Sequence, residues 1–115
     1  MTFHFRGFFF QIRKKGKLPG KCSGISYDLE YGSASVELQA NAFEFCQKSL
    51  DNKARVLVVD DLMATGGTMS AACKVVNGHA EARVTHAFVV MELGFLHGKS
   101  NLPTNVDYKA LIVYE

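Results

Sequence analysis

The chain contains no tryptophan, two prolines, three cysteines and no long uninterrupted apolar run. Each shortage excludes a class of protein. Nothing approaches the ~18 consecutive apolar residues that a bilayer-spanning helix needs, so no helical membrane span is expected. Cys22, Cys46 and Cys73 are odd in number, widely separated and without a CxxC pair. That usage fits a reducing, cytoplasmic setting rather than a disulfide framework. His4, His79, His86 and His97 show no ligand spacing such as i, i+4, and no structural metal site is legible. Charge of one sign is scarce too: a net charge of +2 gives no reason to expect nucleic acid or an anionic membrane as partner. The N-terminal "MTFHFRGFFF" lacks a small-residue cleavage site, so a signal peptide is not expected.

What is present is ordinary in bulk and uneven in detail. With 115 residues, 48% of them apolar and 21% charged, there is room for one globular core and no second. The basic residues cluster: Arg13, Lys14, Lys15, Lys17 and Lys21 fall within nine positions. Phe3 to Phe10 reads as an aromatic strand interrupted at Arg6-Gly7. "RKKGKLPGKCSG" follows as a basic loop broken by glycine and proline. Ile25–Leu29 and Ala34–Leu38 are strand candidates around "EYGS", whose Gly32 suits a hairpin turn. Phe43, Cys46 and Leu50 sit at i, i+3 and i+7 and predict a helix over Ala42–Leu50. Asp51-Asn52 then turns the chain into a strand at Val56–Val59. Thr68 is placed to cap a helix through "MSAACKVVNG", which Gly78 would stop. Val84–Met91 and Tyr108–Tyr114 are two further strands. Strand–helix–strand at this spacing implies parallel pairing in a sheet buried on both faces, hence an α/β fold with an appended hairpin.

The chemistry concentrates in "VLVVDDLMATGGT", from Val56 to Thr68. Ligands of parallel α/β sheets bind beyond the carboxyl ends of the strands, where Asp60 and Asp61 fall. Gly66 and Gly67 let the backbone approach a ligand closely. The helix start after them adds backbone N–H donors and partial positive charge, and Thr65 and Thr68 add hydroxyls. That is a phosphate cradle, although not a P-loop, since no Gly-Lys-Ser/Thr follows. Carboxylates would repel a phosphate, so Asp60 and Asp61 must serve sugar hydroxyls or a Mg²⁺ carried in by the ligand. A phosphate beside a recognised diol describes a phosphorylated ribose.

This stretch resembles the phosphoribosyl pyrophosphate motif of the type I phosphoribosyltransferases. "RKKGKLPG", "YDLEYGSASVELQ" and the terminal "VYE", in that order around it, resemble the adenine phosphoribosyltransferases in particular. The resemblance implies a type I phosphoribosyltransferase-like parallel sheet with flanking helices and a flexible hairpin. It implies transfer of 5-phosphoribose from phosphoribosyl pyrophosphate to adenine, giving AMP and pyrophosphate in purine salvage, with Mg²⁺ bound through the substrate. By the same resemblance Asp60 and Asp61 hold the ribose hydroxyls, and Ala64, Thr65, Gly66, Gly67 and Thr68 hold the 5-phosphate. Arg13 and Arg6 reach the pyrophosphate, assisted by Lys14 and Lys17. Glu30 matches a carboxylate near the adenine imidazole, and Tyr31 a neighbour that closes over the reacting centre.

Two departures shape the expectation. Only five residues precede Arg6, where relatives carry a hood over the base, and "RGFFFQIRKK" joins two family blocks with no room for a crossover. Residues 1–115 are therefore expected to form a single phosphoribosyltransferase-like domain, incomplete at its N-terminal side and lacking the hood. Weak adenine transfer follows from that, and the alternative is a shortened chain that binds phosphoribosyl pyrophosphate, AMP or a full-length partner without catalysis. An uncovered Phe8-Phe9-Phe10 edge would favour a homodimer or pairing with a full-length homologue.

Overall fold

In the computed structural model the described residues are 12–14, 22–29, 32–39, 41–44 and 46–115. Among these residues two three-stranded sheets sandwich one helix. The first sheet is antiparallel, in the order β1 (Arg13–Lys14), β3 (Gly32–Gln39), β2 (Cys22–Leu29). β2 and β3 form the expected hairpin, in continuous register from Cys22↔Gln39 to Leu29↔Gly32. The hairpin is longer than the alternation suggested, and it absorbs the end of the expected basic loop. Arg13 and Lys14, also assigned to that loop, instead pair with Glu37 and Val36. The predicted strand over Phe3–Phe10 lies outside the described residues.

The second sheet is parallel, in the order β4 (Ala54–Met63), β5 (Ala82–Leu93), β6 (Asp107–Tyr114). β4 reaches β5 through the helix α1 (Gly67–Asn77), the crossover that parallel pairing requires. Two single 3₁₀ turns, Gly94–Leu96 and Gly98–Asn101, carry the chain from β5 towards β6. One irregularity keeps the apolar faces aligned. Val56 pairs with Val84 but Leu57 with His86, so Thr85 is an extra residue in β5. That bulge resets the alternation, and Val84 and Ala87 both face the helix.

α1 lies against β2 and β3 on one side and against β4 and β5 on the other. A helix held between two sheets must be apolar almost all round, and Met69, Ser70, Ala71, Ala72, Cys73, Val75 and Val76 are all buried. Leu38 from the hairpin and Val58, Val84 and Val89 from the parallel sheet complete the core around it. At the far end of α1, Gly78 donates its N–H to the Lys74 carbonyl and the helix stops, as expected. The Asn77 side chain then accepts the Val84 N–H at 2.8 Å, tying the helix end to β5.

Two expectations fail. No helix forms over Ala42–Leu50 among its described residues: Asn41–Glu44 is a turn, with Glu44 N–H bonded to the Asn41 carbonyl and Cys46 N–H to the Phe43 carbonyl. The Lys48 ammonium reaches back to the Phe43 and Cys46 carbonyls at 2.6 and 2.8 Å, taking acceptors a helix would use. Phe43 is buried and meets the His79 ring edge-on at 5.1 Å, whereas Leu50 is fully exposed, so the i, i+3, i+7 spacing marks no common face. Among the described residues the parallel sheet is also not covered on both faces. α1 and the hairpin occupy one side, and among the described residues Leu57, Val59, Val90 and Leu111 stand exposed on the other.

Candidate functional site

The site lies at the carboxyl edge of the parallel sheet, where the sequence placed it. β4 carries Asp60 and Asp61 to that edge as its side-chain alternation breaks. Asp61 and Leu62 are both exposed, as are Val90 and Leu62's partner Met91, and Met63 and its partner Glu92 are then both buried. Asp60 is half-buried and Asp61 open to solvent. The Asp60 carboxylate accepts the Asp61 backbone N–H at 2.8 Å. Burial pushes the Asp60 carboxyl above its ordinary range; the Asp61 N–H opposes this, and the neighbouring Asp61 carboxylate adds to it. The two acids are thus a close pair, one of them held at a cost in its charged form.

Ala64 to Thr68 follow. Gly66 occupies the left-handed region at φ 91°, directly before the first turn of α1. No side chain could stand there: a Cβ on Gly66 would fall 2.3 Å from the Gly98 carbonyl oxygen. The first bond of the helix runs from the Ser70 N–H to the Gly66 carbonyl at 2.9 Å. The N–H groups of Gly67 and Met69 precede it and lie at the positive end of the helix dipole. Thr65 and Thr68 are exposed on the rim. Thr68 is not the helix cap, contrary to expectation, because the chain enters the helix through Gly66 and Thr68 already lies within its first turn. A glycine with positive φ reverses the chain more tightly than a β-branched residue can.

The structure therefore brings Asp60, Asp61, Ala64, Thr65, Gly66, Gly67 and Thr68 to one edge. Arg13 and Lys14 lie on β1 in the other sheet. Arg6, Lys17, Glu30 and Tyr31 lie outside the described residues. Sequence reasoning missed the segment after β5. A Cβ on Gly98 would fall 2.4 Å from the Ala64 carbonyl oxygen and 2.9 Å from the Gly66 nitrogen. The Asn101 side chain donates to the Thr65 carbonyl at 2.8 Å. The available signal was positional, since loops that leave neighbouring parallel strands meet at the same sheet edge.

No protein-family model matches the chain. Among individual proteins, the adenine phosphoribosyltransferase of Rhodospirillum centenum is 48% identical over 107 residues, which is 93% of this chain and 57% of that protein. The crystal structure of adenine phosphoribosyltransferase from Rhodothermus marinus superposes with a TM-score of 0.79 at 35% identity, covering 92% of this chain and 56% of its own. The Saccharomyces cerevisiae enzyme, complexed with adenine and an imino-altritol bisphosphate, gives a TM-score of 0.74 at 40% identity over 87% of this chain and 51% of its own. The parallel sheet with its helix matches the type I phosphoribosyltransferase fold expected from the sequence. The chain is homologous to these enzymes along nearly all of its length and spans about half of theirs.

Proposed function

We propose that this chain carries the ribose-phosphate half of an adenine phosphoribosyltransferase, a single domain in which phosphoribosyl pyrophosphate and AMP bind at the edge built by β4 and α1. The observation that carries the reading is Gly66 in its left-handed turn, opening the helix N-terminus beside the Asp60–Asp61 pair. The helix end and the threonine hydroxyls suit the 5-phosphate, and the carboxylates accept hydrogen bonds from the ribose hydroxyls. Two carboxylates are fewer oxygen donors than a protein-only cage uses, which fits Mg²⁺ arriving on the substrate's phosphates. Bound there, Mg²⁺ would offset charge on the departing pyrophosphate.

The remaining roles rest on the sequence resemblance. Pyrophosphate departure leaves an oxocarbenium-like ribose, so Arg13 and Arg6, with Lys14 and Lys17, stabilise the leaving group. Glu30 positions the adenine imidazole for attack and serves as its acid/base group, and Tyr31 closes over the centre to exclude water. The reaction places the chain in purine salvage. The cysteine usage is the ground for placing it in a reducing cytoplasm; burial pushes the Cys73 thiol up to about 11, so it stays protonated and unreactive. The exposed face of the parallel sheet supports a homodimer or pairing with a full-length homologue.

A second reading is favoured by one fact, that the chain spans about half the length of its relatives: it binds phosphoribosyl pyrophosphate or AMP without turnover. Calorimetry and an adenine-transfer assay on the same preparation separate the two. Binding of AMP and Mg²⁺-phosphoribosyl pyrophosphate, each weakened at least tenfold by Asp60→Asn with Asp61→Asn, supports the site. Unchanged affinity in that variant refutes it. Turnover abolished by Glu30→Gln decides for the enzyme, and binding with no turnover decides for the second reading.

A further inference from the structure

We propose that the connection leaving β5 is the rear wall of the phosphate cradle, with Gly98 and Asn101 acting as positioning residues that hold Thr65–Gly67 in its receiving shape. This inference rests on the ribose-phosphate reading of the site, and it adds residues from a segment that reading does not use.

The contact is reciprocal and made by backbone. A Cβ on Gly66 would strike the Gly98 carbonyl, and a Cβ on Gly98 would strike the Ala64 carbonyl and crowd the Gly66 nitrogen and the Met63 sulfur. Two glycines on separate segments are thus pressed together with no side chain between them, and buried Met63 lies beneath. The wall is itself braced. His97 sits in the left-handed region at φ 53°, and its N–H bonds to the Gly94 carbonyl at 3.1 Å. The Ser100 hydroxyl and N–H both donate to the His97 carbonyl, at 2.8 and 3.2 Å. The 3₁₀ turn that contains Gly98 and Asn101 also lies against α1.

Asn101 supplies the directional element. Its amide holds the Thr65 carbonyl at 2.8 Å. Across a trans peptide the carbonyl and the following N–H point in opposite directions, so fixing the Thr65 oxygen also fixes the Gly66 N–H. Left unheld, that peptide could turn its carbonyl towards a bound anion and repel it. The close approach of Gly98 then leaves Gly66 no room to move away from its left-handed turn.

The test uses the full chain, ribose 5-phosphate as probe, and the variants Asn101→Ala, Asn101→Gln and Gly98→Ala. Loss of one neutral hydrogen bond predicts about fivefold weaker ribose 5-phosphate binding for Asn101→Ala. Asn101→Gln keeps the donor and should recover most of that loss, and Asn101→Ala should lower the thermal midpoint by no more than about 8 °C. In the ligand-free chain, hydrogen exchange at the Ser70 amide, which is bonded to the Gly66 carbonyl, should quicken in Asn101→Ala, while the Val84 to Val89 amides keep the parent rate. Gly98→Ala should weaken binding more than tenfold. Parent-like exchange at Ser70 in Asn101→Ala overturns the proposal, as does parent-like affinity in both Asn101→Ala and Gly98→Ala. If the parent chain itself fails to bind ribose 5-phosphate, the functional reading falls, and the exchange measurement still decides whether the wall holds the loop.

Discussion

Replacing Gly66 with alanine adds one methyl group at the most confined backbone position of the site. Two penalties combine there. A residue with a Cβ held at φ 91° costs about 1–2 kcal/mol relative to glycine. A Cβ placed 2.3 Å from the Gly98 oxygen overlaps backbone that cannot rotate away as a side-chain tip could. Relieving such an overlap by shifting packed segments costs about 1–3 kcal/mol. Together these predict a loss of about 2–5 kcal/mol, a large share of the ~5–15 kcal/mol that stabilises an ordinary domain. Urea denaturation with and without AMP reads the effect directly. The parent should gain about 2.7 kcal/mol at an AMP concentration one hundred times its Kd, and Gly66→Ala should lose most of that gain. Two further variants apportion the cost. Asn tolerates the left-handed region, so Gly66→Asn should recover about 1 kcal/mol while the overlap remains. Gly78 has φ −71° and would place its Cβ 3.3 Å from the nearest atom, so Gly78→Ala should stay within about 1 kcal/mol of the parent. A Gly66→Ala chain with parent stability and parent AMP affinity would refute the reasoning outright.

Asp60 should reveal itself through pH. Its folded-state pKa lies above 3.8, so the folded chain takes up this proton before the unfolded chain does. The charged carboxylate therefore costs stability at neutral pH. That cost fades as pH falls through the folded pKa and is gone below 3.8. Asp60→Asn should raise the thermal midpoint at pH ~7, a working pH at which an ordinary carboxylate is ionised, with the gap closing in acid. A variant midpoint below the parent's at neutral pH would contradict this. The open sheet face gives another prediction: Val59 and Leu111 are 61% and 68% exposed, so Val59→Ser with Leu111→Ser should barely alter stability. Sedimentation should nonetheless show weaker self-association, and unchanged self-association would exclude this face as the interface.

The unit β4–loop–α1 was legible because three signals coincide there: a buried strand, glycines at its exit and an apolar helical run. The hairpin was legible through alternation closing on Gly32. The helix expected over Ala42–Leu50 failed because apolar spacing does not say which residues face a core. Lys48, whose position carries no such signal, ties up the carbonyls such a helix would need. Thr68 was mistaken for a cap because its side chain is a good one, while the backbone selected the left-handed Gly66. The Thr85 bulge and the meeting of Gly98 with Gly66 have no local signature, since both arise from register between segments distant in sequence. Covered faces are likewise set by what packs across from a strand, which explains why Leu57 and Val59 read as buried and are not.

The placement of α1 between two sheets also limits how this site can be remodelled. Only Thr68, Lys74 and Asn77 of the helix are exposed, and Asn77 is committed to Val84. Ala71, Ala72 and Cys73 can accept almost no added volume, since enlarging any of them would push the helix off one sheet or the other. A sequence drifting towards a different phosphorylated ligand would find the helix body closed to change. Among the described residues of the cradle, variation that leaves the core intact is confined to Thr65 and Thr68 on the rim and Asp61 at its side, since the Gly98–Asn101 wall behind admits no added side chain at Gly98. Libraries aimed at new ligand preference would do best to randomise those positions and leave 69–73 and 75–76 as they are.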